Sequence, residues 1–252
     1  MARGSACVDP PRGNTVRRHY MKTLPCGAVA LSLAALSVCA VAEPPSRDVV
    51  TAKEQAAMTP AQVLAELKAG NERFVAGDST DQDWLAQAKT TAAEGQFPKA
   101  IVLSCLDSRV PVEIVFDKGI GDIFVGRVAG NFENVDMLGS FEFGTAVAGS
   151  KVIVVLGHTA CGAVKGAMAG AELGNLTATL DNIEPAIEDA GGSVSADNDS
   201  DVTRVVEANV RRTMTDLTAR SEVLAGLVDE GKLIIAGGVY DLATGQVNWI
   251  TN

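Results

Sequence analysis

Short apolar runs alternate with stretches of helical periodicity along most of the chain. Four of these runs are rich in β-branched residues and lack polar alternation, at 100–104, 123–125, 152–156 and 233–236. Runs of this kind predict strands that are buried on both faces, as in a parallel sheet. A fifth run, at 246–250, closely follows a turn signal, so we expect it to pair antiparallel at one edge of the sheet.

Helical periodicity occupies the intervals between these runs. Thr59 followed by Pro60 is a typical helix start, and the apolar periodicity that follows it continues to Gly77. Further helices are predicted at 82–94, 134–149, 161–170, 174–189 and 202–229. Because there is no internal repeat and no second core, the pattern predicts one α/β domain. Its central sheet is expected to be mainly parallel, flanked by helices, with one antiparallel edge strand.

The first 58 residues differ in character from this domain, which we place at 59–252. Residues 24–42 are apolar, follow several basic residues and end in Ala-Val-Ala, which is typical of a cleavable secretory signal rather than a membrane anchor. The arginine pair at 17–18 resembles a twin-arginine export signal, but translation from Met21 would remove it. We therefore expect 1–42 to be an export signal, 43–58 to be a flexible lead-in, and the protein to be exported to a bacterial periplasm.

Composition and charge narrow the functional classes. A hydrophobic share of 47% and a charged share of 21% are typical of a globular protein with a substantial core. The net charge is −10, and residues 1–42 hold five basic and one acidic side chain, so the remainder carries −14. A surface of that sign repels phosphate backbones, which argues against a nucleic-acid partner.

Few soft metal ligands remain once the predicted leader is set aside. Residues 43–252 contain two cysteines and one histidine, namely Cys105, Cys161 and His158. Each lies just after a predicted strand, and the carboxyl ends of parallel strands are where sites form in such sheets. Three protein ligands with an open fourth position are typical of a catalytic zinc site. A disulfide between the two cysteines is the alternative, but the His-x-x-Cys spacing favours a metal.

Two other interpretations of these segments fit less well. Cys105 with Arg109 is similar to a cysteine phosphatase loop, but only three residues separate them where five are needed to wrap an oxyanion. Gly157 and Gly162 have the spacing of a P-loop, yet Ala163 stands where lysine should follow. Zinc remains the favoured interpretation. Asp107 is close enough to reach the fourth position or its water, and Arg109 is placed to hold Asp107 by a bidentate pair.

The segments C-x-D-x-R and H-x-x-C, at 105–109 and 158–161, resemble those of beta-class carbonic anhydrases. Leu106 replaces a serine that is common in the first segment, and we expect its side chain to point away from the metal. The likeness covers 59–250 and includes four supporting segments, 67–74 (LKAGNERF), 126–131 (GRVAGN), 155–163 (VLGHTACGA) and 238–247 (GVYDLATGQV).

The resemblance implies a fold, a reaction and a set of roles. The reaction is the reversible hydration of CO2 to bicarbonate and a proton by zinc-bound hydroxide, with one Zn2+ per subunit held by Cys105, His158 and Cys161. Asp107 is expected to accept a hydrogen bond from the zinc water, or to ligate zinc directly in a closed state, and Arg109 is expected to keep Asp107 ionised. The resemblance also implies a homodimer or a higher homo-oligomer, with the CO2 pocket at the subunit boundary.

Several positions bear on the details of that reaction. Val102 stands where some relatives have a tryptophan that forms a bicarbonate pocket, so we predict no such pocket, and Lys118 stands where many have a glutamine near substrate. No second histidine follows residue 42, so the proton is expected to leave through external buffer, a carboxylate or Tyr240. Three phenylalanines are candidates for the apolar wall of the pocket, Phe132, Phe141 and Phe143.

Two alternative functions stay open on the sequence alone. The same scaffold and zinc ligands could hydrolyse carbon disulfide or carbonyl sulfide, linear molecules similar to CO2. The site could also be a structural zinc in a non-catalytic binding protein. Asp107 and Arg109 argue against the second alternative, because a purely structural site needs neither of them.

Overall fold

Five strands form the central sheet of this computed structural model, which describes residues 48–250. The strands are β1 (Ala100–Ser104), β2 (Ile123–Arg127), β3 (Val152–His158), β4 (Ile234–Tyr240) and β5 (Val247–Ile250), in the spatial order β2-β1-β3-β4-β5. The first four are parallel to one another, and β5 pairs antiparallel with β4 at the edge. The predicted α/β class, the mainly parallel sheet and the antiparallel edge strand are confirmed.

Burial along the strands explains why the apolar runs lack alternation. Every residue of β1 and β3 is buried, since helices cover both faces of these central strands. Every residue of the edge strand β2 is only partly buried. The register places Ser104 beside both Arg127 and Leu156, and His158 beside Tyr240, so the carboxyl ends of neighbouring strands lie at one edge of the sheet.

Helices connect and cover the strands in the described part of the chain. In chain order they are α1 (Ala52–Ala57), α2 (Pro60–Ala76), α3 (Trp84–Glu94), α4 (Val112–Val115), α5 (Val135–Glu142) with a π-helical turn (Phe143–Val147), α6 (Gly162–Met168), α7 (Asn175–Asp181), α8 (Glu184–Asp189), α9 (Asp199–Ala219) and α10 (Glu222–Asp229). No described helix combines the length and the apolar character that a membrane span requires.

The structure corrects two of the helix predictions and shows a helix within 48–58, part of the expected lead-in. Within 48–58, the described part of the expected flexible lead-in, α1 has a capping box, and its Gln55 amide donates at 2.8 Å to the carbonyls of both Pro98 and Ala148. The predicted helix at 202–229 is two helices, because Ser221 caps a new one through the Leu224 amide. The helix predicted at 174–189 is likewise divided into α7 and α8. The export signal predicted at 1–42 lies outside the described residues.

Two apolar layers enclose the sheet, and a third cluster lies at its carboxyl edge. Successive residues of β1, such as Val102 and Leu103, belong to opposite layers, because successive side chains of a strand point to opposite faces of the sheet. The third cluster contains both cysteines of the domain together with Phe132 and Val239. The candidate ligands therefore lie in a water-poor environment at the edge where the strands end.

Candidate metal centre

Three side chains from two strand ends converge at this edge. Cys105 directly follows β1, His158 is the last residue of β3, and Cys161 is the residue that precedes α6. Their ligand atoms all lie within 4.8 Å of one another, and the two sulfurs are 3.9 Å apart. Both cysteines are free thiols, so no disulfide joins them. The fold thus brings together residues that are more than fifty positions apart in sequence.

The chemistry of this group fits a zinc ion. His158 is fully buried, and its Nδ1 lies 2.9 Å from the Thr159 carbonyl. Its Nε2 is also buried and has no hydrogen-bond partner among the described residues. A buried polar atom without a partner is costly, and a metal ion would satisfy it. Two sulfurs and one imidazole nitrogen are a typical zinc set, with the second ring nitrogen held by a carbonyl.

A tight turn after β3 brings Cys161 back against His158. Ala160 adopts a left-handed conformation with φ of 53°, which is uncommon for a residue with a side chain. The Thr159 amide donates to the Tyr240 carbonyl at 2.9 Å, and the Thr159 hydroxyl accepts from the Leu242 amide at 3.0 Å. These bonds to the neighbouring strand hold the turn in place, so the two ligands on this segment have fixed positions.

The two thiols differ in their tendency to ionise. The Cys161 side chain, together with the His158 ring and the Gly130 amide, lowers the pKa of Cys105 to about 4, although burial opposes this. The negative neighbour and burial raise the pKa of Cys161 above its ordinary range. In the metal-free pair, one thiol therefore ionises readily and the other retains its proton. Because a metal ligand must be a thiolate, metal binding has to displace that proton.

Asp107 lies beside the ligands, and Arg109 holds it from the solvent side. The Arg109 Nε and Nη2 atoms donate to the two carboxylate oxygens at 2.9 and 2.7 Å, and the Arg109 amide adds a third bond at 2.9 Å. These bonds keep the pKa of Asp107 well below its usual range. The Asp107 Oδ2 atom is 3.8 Å from the His158 Nε2 atom. An ionised, acceptor-only carboxylate therefore faces the place where a metal would bind.

Three further residues support the Cys105 segment and were missed as site residues in the sequence. The Gly130 amide donates to the Cys105 sulfur at 3.4 Å, and the Asn209 side chain donates to the Gly130 carbonyl at 2.8 Å. The Arg127 guanidinium donates to the carbonyls of Cys105 and Asp107. Two of the three belong to the segment GRVAGN at 126–131, which was the signal that could have identified them.

The predicted aromatic wall is only partly at this site. Phe132 belongs to the buried cluster that contains both cysteines. Phe141 packs instead in the layer with Ile101 and Leu103, and 57% of Phe143 is exposed. Leu106 is 67% exposed, so the residue between Cys105 and Asp107 points outward, as expected.

Two other side chains that the sequence suggested for catalysis, Tyr240 and Lys118, are both buried. Tyr240 is buried beside β5 in the layer with Val247, and burial raises its pKa, so it is poorly suited to carry a proton to solvent. Lys118 is also buried, and its Nζ atom lies 4.0 Å from Glu66 of α2.

Comparison with known proteins agrees with this geometry. The family model described as Carbonic anhydrase matches residues 100–247. The chain is 37% identical over 190 residues to Carbonic anhydrase 2 of Mycobacterium tuberculosis, covering 74% of this chain and 91% of that protein. A beta-carbonic anhydrase structure from Aspergillus fumigatus has a TM-score of 0.59 at 28% identity, covering 75% of this chain and 89% of the other.

A second solved structure supports the fold. A tetrameric beta-carbonic anhydrase of Sordaria macrospora has a TM-score of 0.59 at 23% identity, covering 67% of this chain and 92% of that one. The matched family model spans both ligand segments, and the relatives share most of their length with this chain. The chain therefore belongs to the beta-class carbonic anhydrases, a family of carbonate dehydratases.

Proposed function

We propose that this protein is a zinc-dependent enzyme that catalyses the reversible hydration of CO2 to bicarbonate and a proton. The observation that carries the proposal is the buried group of Cys105, His158 and Cys161 with an ionised Asp107 beside it. A structural site would need only the metal ligands. The carboxylate and the arginine that holds it are explained by a reaction that requires a hydrogen-bond acceptor at that position.

Each residue has a separate task in this mechanism. Cys105, His158 and Cys161 would hold the zinc ion, which would supply Lewis acidity to activate a water. Asp107 accepts a hydrogen bond from the reacting water and so aims its lone pair at CO2. Arg109 occupies both carboxylate oxygens, which keeps Asp107 ionised and fixes its direction.

The orientation of Asp107 favours the open form of the site. A closed form, in which Asp107 ligates zinc, would need a carboxylate oxygen to turn from the Arg109 fork toward the metal. Two side-chain bonds and one backbone bond oppose that turn. We therefore propose that the fourth position is available to water in the resting enzyme, and that Asp107 acts as an acceptor and not as a ligand.

Proton release is proposed to depend on external buffer. His158 is committed to the metal and is the only histidine in the part of the chain that the structure describes. Tyr240 is buried with a raised pKa. We expect the turnover rate to rise with buffer concentration at fixed pH and ionic strength. A rate that does not respond to buffer would instead indicate an internal proton carrier.

Assembly and location are also proposed here. We propose a homodimer or a higher homo-oligomer, supported by the tetrameric relative and by three exposed apolar side chains in α5 and the π-helical turn after it, namely Val135, Phe143 and Val147. Sedimentation of the purified protein measures this directly. We also propose export to the periplasm, which cell fractionation tests.

Stopped-flow hydration of CO2 by the zinc-loaded protein, with an Asp107→Asn variant beside it, tests the proposed reaction. We expect the wild type to be far faster than buffer alone and the variant to be far slower than the wild type. A wild type no faster than buffer would favour the non-catalytic zinc protein. Faster turnover of carbon disulfide or carbonyl sulfide than of CO2 would favour the hydrolase.

A further inference from the structure

Arg127 occupies an unusual position for a charged side chain near a metal site. It is the last residue of β2, and its register partner on β1 is Ser104, the residue before Cys105. Its Nε atom donates to the Cys105 carbonyl at 2.9 Å, and its Nη2 atom donates to the Asp107 carbonyl. One guanidinium thus holds both ends of the short segment from Cys105 to Asp107.

The charge of Arg127 makes no ion pair with a residue of 48–250. Its side-chain hydrogen bonds within 48–250 go to these two carbonyls, and no carboxylate there pairs with it. By contrast, Arg109 and Arg212 each pair with an aspartate by two side-chain bonds. Among the described residues its acceptors are neutral carbonyls, so a cation without an anionic partner there lies beside two thiols and a carboxylate.

The held segment forms no helix or strand, and its middle residue is open to solvent. Leu106, between the two clamped carbonyls, is 67% exposed. Besides Arg127, the segment is held by the Gly130 amide on the Cys105 sulfur, the Val110 amide on the Asp107 carbonyl and the Arg109 bonds to the Asp107 carboxylate. Among these bonds, those from Arg127 alone join both ends of the segment to one side chain, so without them the metal ligand and the catalytic carboxylate would move more readily relative to each other.

We propose that Arg127 is a positioning residue that fixes the metal ligand Cys105 and the carboxylate Asp107 in one rigid unit. This rests on the proposed zinc-dependent hydration. The planar fork of arginine is essential, since it reaches two acceptors in a fixed geometry, whereas lysine offers a compact charge that cannot span both. Arg127 therefore acts through the backbone and touches neither the metal nor the substrate.

The test uses Arg127→Lys, with Arg212→Lys as the matched control. Arg212, on α9, also makes two side-chain bonds, but to Asp189 of α8 at the protein surface. We expect Arg127→Lys to lose zinc to a chelator about tenfold or more faster than the wild type, in the range found for residues that orient metal ligands. The control should release zinc at the wild-type rate.

Three measurements separate positioning from simple stability. In the cobalt-substituted protein, Arg127→Lys should change the thiolate-to-cobalt absorption band, because the Cys105 sulfur has shifted. In the metal-free protein, Cys105 should react faster with a thiol reagent. For hydration, we expect kcat to fall with little change in KM, because the segment orients the reacting water more than it binds CO2.

Arg127→Ala with added guanidinium ion provides a rescue. Millimolar guanidinium should restore part of kcat and slow zinc release in this variant but not in Asp107→Asn. Zinc release, cobalt absorption and thiol reactivity that all match the wild type in Arg127→Lys would overturn the inference. The inference would also fail if Arg127→Lys and the wild type released zinc at the same rate when each is measured at the same interval below its own melting temperature. That result would indicate a purely structural role. These readouts do not require hydratase activity, so failure of the proposed function is seen separately, as a wild type without activity.

Discussion

The two segments that build the metal centre differ in exposure and in how they are held. The segment after β3 is buried, with His158 fully covered and Cys161 almost so, and bonds to β4 hold its turn. The segment after β1 is open, with Leu106 and the Arg109 side chain largely exposed. Its support comes from the neighbouring strand β2, through Arg127.

This difference separates two tasks. The buried segment contributes two of the three candidate ligands, and both of these side chains are buried, so in the proposed function it serves mainly to hold the metal. The open segment contributes one candidate ligand and also Asp107 and the exposed Arg109, so we expect water and CO2 to enter from its side. A site needs rigidity for its ligands and access for its substrate, and here the two requirements fall on different strand ends. Substitutions in each segment should therefore affect metal binding and turnover differently.

Loss of a ligand from the buried segment should have the largest effect. His158→Ala removes the imidazole from a site with no replacement ligand within 48–250, so we expect the purified variant to hold little zinc and to lose hydration down to the buffer rate. Elemental analysis and stopped-flow measurements check this. Ser140→Ala, an exposed change on α5, is the control. Full zinc content in His158→Ala would show that the segment does not hold the metal.

Loss of the carboxylate from the open segment should reduce turnover while the metal stays bound. Asp107→Asn keeps the size of the side chain but removes the charged acceptor, so we expect kcat to fall about 100-fold, within the range for a group that handles a proton in catalysis. Zinc content should match the wild type. If zinc is lost in proportion to activity, Asp107 helps to bind the metal, and the two segments do not have separate tasks. Asp136→Asn, outside the site, should leave both quantities unchanged.

Weakening the fork on Asp107 should shift the pH dependence. Arg109→Lys keeps a positive charge but loses the bidentate geometry that lowers the pKa of Asp107, so that pKa should rise toward the ordinary value of about 4. Asp107 is then protonated at a higher pH, and the acid limb of the pH–rate profile moves upward. Near neutral pH we expect a loss of about tenfold or less, from poorer orientation alone.

The same change has a consequence for stability, with a definite sign. The lowered pKa of Asp107 stabilises the folded protein above the unfolded pKa of about 3.9, and this stabilisation is lost as pH falls through the folded value. The difference in the free energy of unfolding between neutral pH and pH below about 4 should therefore be smaller in Arg109→Lys than in the wild type. Arg204→Lys, on an exposed pair with Asp201, is the control. If the wild type, Arg109→Lys and Arg204→Lys had the same acid limb in their pH–rate profiles, Arg109 would not lower the pKa of Asp107 as proposed.

Relief of strain in the buried turn should have the smallest effect. Ala160 has a left-handed backbone, which glycine adopts freely, so Ala160→Gly should leave zinc binding intact and change the free energy of unfolding by no more than about 1 kcal/mol. Ala160→Val should destabilise by more, because a branched side chain tolerates this conformation poorly. Thermal and denaturant unfolding of the two variants measure the contrast. Equal stability of the glycine and valine variants would show that the turn is not held in this conformation.

Local patterns in the sequence predicted much of the fold, and they failed where contacts from distant residues decide. The runs at 100–104 and 152–156 identified the central strands because burial on both faces leaves a continuous apolar signal. Helix α1, within 48–58, was missed although Thr51 and Glu54 form a capping box, and its position depends on the Gln55 bonds to the carbonyls of Pro98 and Ala148, far along the chain. No local pattern contains those contacts.

The order of residues alone was enough to identify the candidate ligands, their place after the strands, and the family. Its signal came from Cys105, Asp107, Arg109, His158 and Cys161. Which further residues support them depends on contacts that form in the folded protein. Arg127 is an ordinary charged residue in sequence, and it becomes a clamp because the register of β2 on β1 places its guanidinium against two carbonyls. Ligand types are set by each side chain alone, whereas positioning depends on distances between strands, which exist only once the sheet has formed.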